Sequence, residues 1–72
     1  MEAREIFELI LKADDAIKYA TEEKVAARSR QARDLLGRAR DEAQAIGNQA
    51  LVEQAERRLA DLASLPGGTP DA

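Results

Sequence analysis

The sequence predicts an all-α fold: an antiparallel hairpin of helices over about 22–46 and 48–64, with an N-terminal helix over about 2–20 completing a three-helix bundle. Three observations predict it. Ala, Glu, Arg, Leu, Gln and Lys fill the chain, no β-branched run occurs, no Gly precedes Gly37 and no Pro precedes Pro66. Small or apolar residues at Val25, Ser29, Ala32, Leu36, Ala39, Ala43 and Ile46 recur in steps of four and three, an unbroken heptad seam. That seam stops at Gly47-Asn48, a helix-end and turn signal.

The first helix starts near Glu2. Glu2, Glu5 and Glu8 occupy its opening turns, where the helix dipole favours carboxylates. Ile6, Ile10, Ala13, Ile17 and Ala20 repeat in four-three steps, and Phe7, Leu9 and Leu11 widen that stripe to roughly half the circumference at 100° per residue. A stripe this wide touches more than one neighbour. It serves either as the buried side of a small bundle or, through Ile6, Phe7, Ile10 and Leu11, as part of an interface between chains.

Between Ala20 and Val25 the seam slips by one residue: the first helix would continue it at Lys24, but it resumes at Val25. Thr21 is placed to cap a new helix, with Glu22 and Glu23 behind it. No Gly or Pro enforces the break, so two architectures are compatible with the sequence. One has three helices with a turn near 20–23. The other has a single helix from about 2 to 46 folded back once. Compaction of so short a chain favours the break, with Asp14-Asp15 a weaker place for it.

The second helix, about 37 Å long at 1.5 Å per residue, has a seam of mostly Ala and Ser, which lets helices approach closely. Gly37 lies off the seam and marks a close contact, a bend or neither. Gly47 suits a left-handed position and Asn48 a cap, and a link this short makes the flanking helices antiparallel neighbours. The third helix carries Val52, Ala55, Leu59 and Leu62 and ends at Pro66-Gly67-Gly68. Residues 1–65 therefore read as one helical domain, and 66–72 as a disordered tail that either ends the protein or begins a linker.

Composition narrows the chemistry. Hydrophobic residues make up 44% of the 72, yet fifteen of them are alanine, with one Phe, one Tyr and no Trp. A monomer has a thin core, which points to a partner surface. With no Cys there are no disulfides or thiolate metal sites, and a cytoplasmic, reducing setting is compatible. With no His, the commonest general base and transition-metal ligand is missing. Asp14-Asp15, Glu22-Glu23 and Asp41-Glu42 are adjacent pairs that diverge by about 100° on a helix and do not converge on one ligand. No Gly-rich phosphate loop occurs. The expectation is no enzyme, cofactor, metal or small-molecule substrate. The longest apolar run, Leu9-Ile10-Leu11, is far short of a membrane span.

Net charge is −3, but residues 24–40 carry six bases against Asp34 alone, between acidic flanks. Arg30, Arg33 and Arg40 lie within about 80° on one side of the second helix. The stripe reads first as a solvated face with pairs such as Arg30–Asp34 and Arg38–Asp41 or Arg38–Glu42, and next as a contact for an acidic protein, including a second copy of this chain. Nucleic acid ranks last among these readings, because no aromatic residues interleave and the flanks are acidic. The function predicted is a small helical protein-interaction or assembly module that self-associates. The alternatives are a dimeric nucleic-acid regulator and an accessory segment of a larger protein.

The run Ala32-Arg33-Asp34-Leu35-Leu36-Gly37-Arg38-Ala39, followed by Ala43, Ile46-Gly47-Asn48, Leu51, Ala55 and Leu59, resembles the tetratricopeptide repeat: one repeat's second helix, the Gly-containing turn and the next repeat's first helix. The match covers residues 32–62. The aromatic residue and glycine that mark a repeat's first helix are missing. The helical pattern and size are also similar to the three-helix microtubule-interacting-and-transport domain. Both resemblances imply a protein that binds peptide segments in grooves between helices.

Overall fold

A computed structural model of the chain describes residues 1–64. It has three helices: α1 (Ala3–Lys18), α2 (Val25–Ala45) and α3 (Gln49–Ser64). The described residues contain no strand. The expected tail at 66–72, the helix stop at Pro66 and the last expected domain residue, 65, lie outside the described residues.

Glu2 opens α1 in an extended conformation, and its backbone N–H donates to the Glu5 carboxylate at 3.0 Å. That bond satisfies a donor just outside the helix, as in a capping box. The chain breaks after Lys18 and not through it, so the three-helix architecture is the one formed. The link is a run of turns in which Ala20 N–H donates to the Ile17 carbonyl at 3.2 Å and Lys24 N–H to the Thr21 carbonyl at 3.0 Å. Thr21 does not cap α2. Lys24 holds that position without a side-chain bond, and Glu22 and Glu23 lie in the turn. The second helix thus begins three residues later than expected, at Val25, and the first buried residue of its seam is Ser29.

The α2–α3 corner follows the sequence closely. Gly47 has φ +72°, a left-handed conformation that glycine adopts without a Cβ penalty. Asn48 N–H donates to the Ala43 carbonyl at 2.9 Å and Gly47 N–H to the Gln44 carbonyl at 3.1 Å, the paired bonds of a Schellman ending. Asn48 Oδ1 then accepts from Leu51 N–H at 3.2 Å and caps α3.

The seam of α2 is the middle of the molecule. Ala32, Leu36, Ala39 and Ala43 are buried along it, with Ser29 at its start. Ile6, Ile10, Ala13 and Ala16 meet it from α1, and Leu51, Val52, Ala55 and Leu62 from α3. Six of these twelve apolar core residues are alanine, so the core works by close approach and less by bulk. α2 packs along both neighbours, while α1 and α3 meet only narrowly. The Cα envelope is 36 × 21 × 13 Å, wider than deep because α1 and α3 open apart on either side of α2. No helix among the described residues is long and apolar enough to cross a membrane.

Candidate interaction surface

The wide apolar stripe of α1 is divided by the fold. Ile6 and Ile10 are 0% exposed and face α2, so in the folded chain they are core and not surface, against the expectation for them. Phe7 and Leu11 stand about 100° further round the helix and remain 42% and 44% exposed. The helical repeat makes the division: one neighbour covers a little over a third of the circumference, and the stripe is wider than that. Burial of the first pair leaves the second as neighbours one turn apart on a half-open flank.

Further along, α1 and α3 form the walls of a groove of about 230 Å³. Ala13, Ile17 and Leu62 line its walls, and Ala32 and Leu36 of α2 lie at its base. Its charged rim includes Asp14, Lys18, Arg58 and Asp61. Arg58 Nε donates to both carboxylate oxygens of Asp14, at 3.0 and 3.1 Å, and ties α3 to α1 across the opening. The arginine also reaches the Gln54 carbonyl of its own helix at 3.5 Å. Sequence reasoning missed this pair. Its members lie 44 residues apart, and no local spacing signals a contact between a first and a third helix.

The arginine stripe of α2 is less uniform than its spacing predicted. Arg30 and Arg33 are exposed, whereas Arg40 is half-buried with its guanidinium 3.6 Å from Asp41. The expected Arg30–Asp34 and Arg38–Asp41 or Arg38–Glu42 pairs do not form. Glu42 lies instead 3.7 Å from the α-amino group of Met1, at the end where α1 begins and α2 finishes. At the opposite end, Lys18 Nζ sits 5.5 Å from the centre of the exposed Tyr19 ring. Among the described residues no group of three or more acidic side chains is close enough to hold a metal ion.

The chain matches no protein-family model, no curated protein and no solved structure. What bears on its role is the chemistry of its own surface. That surface offers an apolar pair on α1, a small groove beside it and scattered arginines on α2.

Proposed function

We propose that this chain is a non-catalytic helical interaction module that assembles with itself, in a reducing compartment such as the cytoplasm. The observation that carries the reading is the exposure of Phe7 and Leu11 beside a core that is half alanine. The only phenylalanine of the chain is left at the surface, where burying it against a partner removes more apolar area than any alanine of the core supplies. Phe7 and Leu11 are four residues apart on one flank of α1, so a partner that covers one covers the other. The exposed Arg30 and Arg33 supply a basic side on α2 for an acidic protein surface.

Light scattering or sedimentation from micromolar to millimolar concentration tests the proposal. The weight-average mass should rise with concentration. Phe7→Ala and Leu11→Ala should each shift it toward monomer by about tenfold or more in the dissociation constant, with helix content by circular dichroism unchanged. A monomer of high thermal stability over the whole range would rule out self-association.

A further inference from the structure

The exposed flank of α1 is more than an apolar patch, because charges of opposite sign bracket it. Arg4, Phe7, Leu11 and Asp15 follow each other at steps of three, four and four and span about 80° of the helix. All four are exposed. Neither Arg4 nor Asp15 forms an ion pair among the described residues, whereas the adjacent Asp14 is already engaged by Arg58. The flank thus reads basic, apolar, apolar, acidic over residues 4–15, and Lys18, exposed within the same arc, follows at the C-terminal end of α1. Turned end for end, the same strip is complementary to itself.

Resting on the self-assembly reading above, we propose that the occupant of this flank is α1 of a second copy, packed antiparallel about a two-fold axis between Phe7 and Leu11. In that register Phe7 lies against Leu11 of the second copy, and Leu11 against its Phe7. Arg4 faces Asp15 of the second copy, and the symmetry makes every contact twice. A parallel pairing sets Arg4 against Arg4, Glu8 against Glu8 and Asp15 against Asp15. In the antiparallel pairing only Glu8, on the solvent margin, approaches its own copy. Charge pairs of this kind select orientation more than they add affinity. One helix flank is small beside a standard interface, so the complex belongs in the micromolar range or weaker.

The test pairs charge reversal with a distance measurement on the full chain. Arg4→Glu should raise the dissociation constant about tenfold, since two ion pairs become two repulsions. Adding Asp15→Arg to it should restore the original value within about twofold. The chain has no cysteine, so Lys18→Cys accepts a single spin label. Antiparallel pairing places the two labels about 27 Å apart along the helix axes, and parallel pairing about 10 Å apart. A monomer at every concentration overturns this inference together with self-assembly and leaves the flank to a different protein. A dimer with labels about 10 Å apart, or one that the double reversal fails to restore, overturns the antiparallel pairing alone.

Discussion

Ser29 holds a core position on α2, 1% exposed, and its hydroxyl finds no hydrogen-bond partner among the described residues. A buried hydroxyl without a partner costs on the order of 1–3 kcal/mol in proteins. Alanine fills nearly the same volume without that cost and has the better helix propensity. Ser29→Ala should therefore stabilise the fold by about 1 kcal/mol, a rise of roughly 4–8 °C in Tm for a chain this size. A melt showing a lower Tm would mean that the hydroxyl is bonded in solution. At this scale the sequence was informative about size and silent about satisfaction. The four-three spacing marked a small side chain at Ser29, but whether its oxygen finds an acceptor depends on its rotamer toward the preceding turn of α2 and on its neighbours from other helices. The same limit applied to α1, where Ile6 and Phe7 are equally apolar in sequence and only the position of α2 decides which is buried.

Among the elements, α2 matters most and carries the least favourable residue. Gly37 lies inside it, and a Cβ built there meets nothing within 4 Å. Neither a close contact nor a positive φ explains the glycine. Gly37→Ala should stabilise α2 and the whole fold by about 1 kcal/mol, through helix propensity and a less flexible unfolded chain. Urea titration checks this by a shifted midpoint at unchanged slope. Gly47 is the contrasting case, since its φ of +72° uses the freedom that glycine supplies. The Gly47-Asn48 corner was legible because both ends of that link depend on groups within five residues of each other. The start of α2 was legible only as a phase slip. Thr21 has the right chemistry for a cap, but the helix begins only at Val25, with Lys24 in the cap position.

For the whole molecule, Arg58 on Asp14 is a polar fastening between the outer helices. Both side chains are partly exposed, so a double-mutant cycle of Asp14→Ala and Arg58→Ala should give a coupling of about 0.5–1 kcal/mol, reduced by salt. A coupling near zero at low salt would mean that the ion pair adds nothing to the contact between the two helices. The three-helix architecture could be read from local periodicity, since each helix carries its own apolar stripe. The opening of α1 away from α3 could not, because it depends on how two helices share the faces of a third. That arrangement has a kinetic consequence. Helices adjacent in the chain supply most of the packing, and the links between them are short, so few long loops must close before contacts form. Such low-contact-order chains fold in microseconds to milliseconds, and the two hairpins that share α2 offer alternative first steps to the same native state.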